Sequence, residues 1–147
     1  MKILLFLLML IIGVVLTVHL TMNAQVGVIV KNSKMGNALF WTIGAIAALL
    51  IGATGWDSSV LSRIKDVPLW LLTAGAIGAA LVFGIAWVIP KIGAGPAFVL
   101  MIAGQVLTGI VFSHFGIMGS PVEPVSFMKI MGVVLLMVGV SIITFSK

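Results

Sequence analysis

The chain has 147 residues, of which 62% are hydrophobic and 7% charged, with eight basic and three acidic side chains. A soluble domain carries roughly 25% charged residues, so this composition excludes a soluble enzyme and a disordered tail. The net charge of +5 does not point to nucleic acid, because lysine and arginine occur singly or in pairs and build no patch against a run of phosphates.

Five uncharged stretches follow one another, each long enough to cross a hydrocarbon core of ~30 Å, which takes about 20 apolar residues. They predict helices over about 3–23, 36–55, 67–89, 95–113 and 126–145. None alternates apolar and polar residues as a barrel strand would. The expected fold is all-α, a polytopic membrane protein with five transmembrane helices in one bundle, a single domain over residues 1–147. In the first stretch, Met1-Lys2 before an apolar run raises the question of a signal peptide. The run is longer than usual for one and Met22-Asn23-Ala24 is a poor cleavage site, so a retained first helix is expected. Asp66 and Pro68 mark the start of the third helix. Pro90, Gly93, Gly95 and Pro96 end it and open the fourth in a tight turn. Gly119, Pro121 and Pro124 make an irregular loop before the fifth.

Tryptophans bracket two of the segments. Trp41 and Trp56 fall near the ends of the second, Trp70 and Trp87 near the ends of the third. At 1.5 Å per residue the pairs stand about 22 and 26 Å apart, close to the separation of the two interfacial belts. Interface anchoring accounts for all four, and Trp41 is also a candidate for lining a pathway. Small residues recur every fourth position, as Gly44, Ala48 and Gly52 in the second helix and Ala76, Ala80 and Gly84 in the third. Such rows let helix backbones approach closely in lipid and are expected to be packing faces.

Five crossings allow the basic residues to be divided by side. Lys2, Arg63, Lys65 and Lys129 share one side; Lys31, Lys34, Lys91 and Lys147 share the other. Orientation follows an excess of Lys and Arg in cytoplasmic loops, and here the two sides are equal. The expectation is a homodimer of oppositely oriented copies with a site near the midplane, the plan of inverted-repeat transporters. The alternative is one fixed orientation, set by the acidic residues between Asp57 and Asp66 or by a partner chain.

The second half carries a series of motifs: Pro68-Leu69-Trp70, Ala74-Gly75-Ala76-Ile77-Gly78-Ala79, Ile89-Pro90-Lys91-Ile92-Gly93-Ala94, Gly104-Gln105, and His114-Phe115-Gly116. A last helix punctuated by Gly132 and Gly139 follows, and Asn23 lies near the end of the first. In these features the chain resembles the YdcZ-type branch of the drug/metabolite transporter superfamily. The resemblance implies a multi-pass protein of the bacterial inner membrane, similar to one half of a ten-helix transporter, whose relatives are regarded as exporters without assigned substrates. The family often has an aspartate before its His-Phe-Gly, and this chain has Ser113 there.

All three acidic residues, Asp57, Asp66 and Glu123, fall between the predicted spans, which disfavours a carboxylate-coupled exchanger of cations. The polar residues left for a substrate pathway are few. His19 and Asn23 are four apart and share a face of the first helix, with Thr17, Thr21 and Gln25 on the opposite one. Gln105 and Thr108 share a face of the fourth helix, between Met101 and Phe112. A buried amide in lipid must find a partner in another helix or in a solvated cavity. His19 is the one plausible proton carrier well inside the first span, since histidine titrates near neutral pH. His114 lies near a helix end and is expected to be interfacial or a cap. The candidate pathway residues are therefore His19, Asn23, Trp41, Gln105, Thr108 and His114.

No catalytic residues are expected. Ser113 and His114 are adjacent and point about 100° apart on a helix, so they form no nucleophile–base pair. No cofactor and no metal site are expected, and with no cysteine in the chain there is no thiolate ligand. The expected function is a small integral membrane exporter of a metabolite or drug-like solute, dimeric and working by alternating access. Its partners are the lipid bilayer and a second or related chain, with no nucleic acid. The alternative is a membrane accessory or assembly subunit, or one half of a heterodimeric transporter.

Overall fold

The computed structural model describes residues 2–146, and these are helical with no strand among them. Six helices follow in chain order: α1 Lys2–Ile29, α2 Ser33–Thr54, α3 Val60–Ile64, α4 Leu69–Ile92, α5 Ala94–Phe115 and α6 Phe127–Phe145. A 3₁₀ turn lies at Ile117–Gly119. All but α3 are long and apolar enough to cross a membrane. With 19 residues α6 rises about 28 Å, and α1 with 28 residues about 42 Å, against a hydrocarbon core of ~30 Å. Lys147, counted above among the basic residues, lies outside the described residues.

The chain divides into two compact units, Met1–Lys91 and Ile92–Lys147. In the first, α1 and α2 form a tight antiparallel hairpin. The helix α1 runs on to Ile29, beyond the expected end near Asn23, because the residues that follow, Gln25 among them, are compatible with a helix and none breaks it. The stop comes from Lys31, in the left-handed region at φ 53°, and from Asn32. The Asn32 side chain accepts hydrogen bonds from the N–H groups of Lys34 and Met35, both at 3.1 Å, and so caps α2. Just inside this turn the two backbones nearly touch. A Cβ on Gly36 would stand 2.7 Å from the Gly27 Cα and 2.8 Å from its nitrogen. Only glycine fits a crossing that close.

The segment between α2 and α4, expected to be a loop, contains the single turn α3. The Asp57 carboxylate organises its entry, accepting from the Ser59 hydroxyl at 2.6 Å and the Ser59 N–H at 3.2 Å, with Arg63 at 3.8 Å. These bonds hold the Asp57 carboxyl below the usual carboxylate value, the Ser59 hydroxyl contributing most. Pro90 does not end α4, as its position had suggested. Lacking an N–H, it removes the bond to the carbonyl one turn back, which is the last full turn, and the helix carries on to Ile92.

In the second unit α5 packs against α6, with Phe98, Ala103 and Val140 among its buried residues. The α5 helix ends at Gly116 in the left-handed conformation, φ 66°, its N–H bonded to the Phe112 carbonyl. Apolar side chains of both units face outward in large number, from Ile3 to Val18 on α1 above all. In water that exposure would be ruinous, and in lipid it is the expected state.

Candidate functional site

The site begins with a helical repeat. On α1 the buried residues are Leu20, Asn23, Ala24 and Gly27, spaced 3, 4 and 7 apart, which is one face of a helix. This face meets α2, where Gly36 is buried and Asn37, Phe40 and Trp41 are half-buried. The close crossing at Gly27 and Gly36 draws α1 and α2 together, and Asn23 lies one turn before it. Asn23 is 1% exposed, yet neither its carboxamide nitrogen nor its oxygen has a hydrogen-bond partner among the described residues.

Around Asn23 the hairpin opens into a cleft of about 420 Å³, lined by His19, Met22, Val26, Phe40, Trp41 and Ile43 among others. The His19 and Phe40 rings lie 4.7 Å apart at 50°, and Phe40 meets Trp41 edge-on at 5.9 Å. Trp41 also reaches α4, its ring edge 3.7 Å from where a Gly78 Cβ would stand. Its indole N–H is buried and without a partner among the described residues. Next to it, Asn37 donates from Nδ2 to the Ala79 carbonyl at 3.2 Å, tying α2 to α4. The lining thus holds one carboxamide, one indole N–H, one imidazole and otherwise apolar surface. It contains no carboxylate, lysine or arginine.

Of the six candidate pathway residues, His19, Asn23 and Trp41 are brought together here. Trp41 stands two turns inside α2, since that helix starts at Ser33 and not Gly36. Trp56, Trp70 and Trp87 are exposed near helix ends, and Lys91 sits over the face of Trp87. On the opposite side of α1, Thr17, Thr21 and Gln25 line a shallower cleft of about 410 Å³. There the Thr17 and Thr21 hydroxyls bond back to the carbonyls of Gly13 and Thr17 at 3.0 and 2.8 Å, leaving Gln25 exposed.

The other three candidates are in the second unit. Gln105 and Thr108 lie on an exposed face of α5. His114 is taken up by the loop that follows α5: its Nδ1 accepts the Val125 N–H at 3.1 Å. Beside it the Ser113 carbonyl accepts the Glu123 N–H at 2.8 Å, and the Ser113 and Ser120 hydroxyls are 3.3 Å apart. Glu123 pairs with Lys129 at 3.1 Å. The His-Phe-Gly triplet is therefore a helix ending, with His114 as an anchor for the returning chain and Gly116 as the left-handed cap.

The small-residue rows have no close neighbour among the described residues. Gly44, Ala48, Gly52, Ala76 and Ala80 are exposed, and a Cβ at Gly44, Gly52 or Gly84 would meet nothing within 4 Å among the described residues. The close approach falls instead at Gly27 and Gly36. Phe40 and this glycine pair were missed in the sequence. The available signal was two glycines placed nearly symmetrically about the Lys31-Asn32 turn, with aromatic residues one turn beyond the second.

Over residues 4–142 the chain matches the family described as "Putative inner membrane exporter, YdcZ". The chain belongs to this family. No curated protein and no solved structure matches it. Membership together with five apolar helices makes it a multi-pass protein of the cytoplasmic membrane, and it places the cleft in a family described as exporters.

Proposed function

We propose that the chain exports a small solute through the cleft formed by His19, Asn23 and Trp41. The observation that carries this reading is Asn23: an amide in a membrane span, fully buried, in the wall of a cleft, with neither of its polar atoms satisfied. In a bilayer core each unsatisfied group costs several kcal/mol, and a purely structural asparagine would have a partner. An amide kept without one suits a site that meets a solute or water in another state of the transport cycle. Asn23 is sealed in the state described here, as alternating access requires of one of its states.

The working unit is a dimer of oppositely oriented copies. Two features support it: the equal division of lysine and arginine between the two sides, and the open rows on α2 and α4, which fit a further helix. Gln105 and Thr108, exposed on α5, are left free to meet the same partner. His19 would carry any proton that couples transport, since no carboxylate lines the cleft.

The test compares the solutes released by cells expressing the wild-type chain and Asn23→Leu at equal membrane abundance. The proposal expects at least one solute whose release depends on the wild-type chain and falls to the empty-vector level with Asn23→Leu. Identical release profiles for the two would overturn it.

A further inference from the structure

The chemistry of the lining narrows what the cleft can hold. No fixed charge lies in it to pair with an ion, and an unpaired charge in apolar surroundings is strongly disfavoured. A carboxamide offers both a donor and an acceptor. At Asn23 both are buried and unpartnered among the described residues, whereas Asn37 nearby has its nitrogen engaged and only its oxygen unpartnered. A solute with only an acceptor would leave the Asn23 oxygen orphaned, and one with only a donor would leave the nitrogen so. A second amide edge, with an N–H beside a carbonyl, satisfies both at once. Trp41 supplies one more unpartnered donor a short way along the wall. Its ring, with those of Phe40 and His19, presents faces and edges at 50° and 81°, surfaces against which a flat ring packs in stacked or edge-on contact. The volume of about 420 Å³ falls in the range of about 300–1,000 Å³ typical of small-molecule pockets.

We propose that the cleft selects uncharged planar solutes with an amide-like edge, a lactam, carboxamide or amide-edged heterocycle, held by the Asn23 carboxamide between the aromatic rings. This rests on the reading of the cleft as the solute path. Because the carboxamide lies within the wall, a solute reaches it by a small opening of the lining, and only a solute that replaces both hydrogen bonds holds that opened state. A site whose buried polar groups need partners discriminates strongly against analogues that leave them unpaired.

The test uses the full-length chain in detergent with Trp56, Trp70 and Trp87 replaced by phenylalanine, so that Trp41 is the one fluorescent reporter. Four probes are titrated at pH 7: benzamide, N,N-dimethylbenzamide, benzoate and benzyltrimethylammonium. The proposal expects saturable quenching by benzamide. N,N-dimethylbenzamide, which lacks the donor, should bind about tenfold or more weakly, and the two ions more weakly still. In Asn23→Leu, the preference for benzamide over its dimethyl analogue should shrink to less than about twofold. Equal binding of the two amides by the wild-type chain, tighter binding of either ion, or no quenching by any probe would overturn the selectivity. The wild-type series alone decides this if Asn23→Leu fails to fold. An overturned selectivity leaves the exporter reading in place, which stands or falls separately on the release profiles of wild type and Asn23→Leu.

Discussion

Two clusters of polar residues, one in each half of the chain, are treated in opposite ways. In the first unit Asn23 is buried and Trp41 half-buried beside a cleft, with polar atoms that bond to nothing among the described residues. In the second, His114, Ser113 and Glu123 sit at a helix end and nearly every group has a partner: a loop N–H, a hydroxyl or the Lys129 ammonium. Satisfied groups rigidify and specify a structure, whereas unsatisfied buried ones cost stability and persist where function requires them. The histidines follow the same division. His19 faces a cleft, and His114 anchors a loop. His-Phe-Gly, prominent as a motif in the sequence, is in the structure a helix ending and a chain reversal.

That contrast is open to attack by substitution. The largest effect is expected at Asn23. Asn23→Leu removes two orphaned groups and should raise stability by about 1–3 kcal/mol while solute release falls at least tenfold. Thermal unfolding in detergent and release from cells read the two quantities. A variant that loses stability and keeps release would reverse the assignment.

Next comes the crossing that holds the cleft together. Gly36→Ala places a methyl 2.7 Å from the Gly27 backbone, which no rotamer relieves. A cost of about 1–3 kcal/mol is expected from overpacking, together with loss of the cleft. Gly44→Ala, with open space around it in one chain, should leave the folding of the monomer unchanged and so serves as the control; a fall in dimer content for Gly44→Ala would show that its row meets a second copy. His114→Ala should cost about 0.5–1.5 kcal/mol, the net worth of one hydrogen bond, and leave release intact, the reverse of Asn23→Leu.

The smallest effect belongs to Asp57. Its carboxyl titrates below its ordinary value of 3.8 in the folded chain. The stabilisation is present above that ordinary value and is lost as pH falls through the lower, folded one. Wild type should therefore lose thermal stability slightly more than Asp57→Asn does as pH falls from above 3.8 through the lower, folded value, and identical acid profiles would contradict the role of the Ser59 hydrogen bonds.

Much of this was readable from the sequence, in a way that follows the physics of lipid. Long uncharged runs gave the five spans, because one charge in hydrocarbon costs more than local propensity can offset. Their ends were less legible. Helix α1 outran its expected end because stopping it took an asparagine cap and a left-handed lysine, weak signals beside the neighbouring apolar run. Pro90 looked like a terminator, but a proline in a last turn removes a single bond. The pairing of His19 with Asn23 followed from their four-residue spacing, and their meeting with Trp41 depended on a tertiary event. Every small-xxx-small row is a possible crossing point, but the close crossing between α1 and α2 falls at two single glycines, Gly27 and Gly36, brought together by the hairpin turn at Lys31-Asn32. Gln105 and Thr108 were legible as polar residues in a span, but spacing could not say whether their face is covered by this chain.

The central claim is that the wall around Asn23 opens to water during function. The chain has no cysteine, so a single one placed at position 23 can be probed without background. Asn23→Cys in sealed vesicles should react with a membrane-impermeant, water-soluble methanethiosulfonate reagent, while Ile11→Cys, from the exposed apolar face of α1, should not. Reaction at position 23 well above that at position 11 is the result the account predicts. Equal resistance of the two cysteines would contradict it and make Asn23 part of a closed packing core.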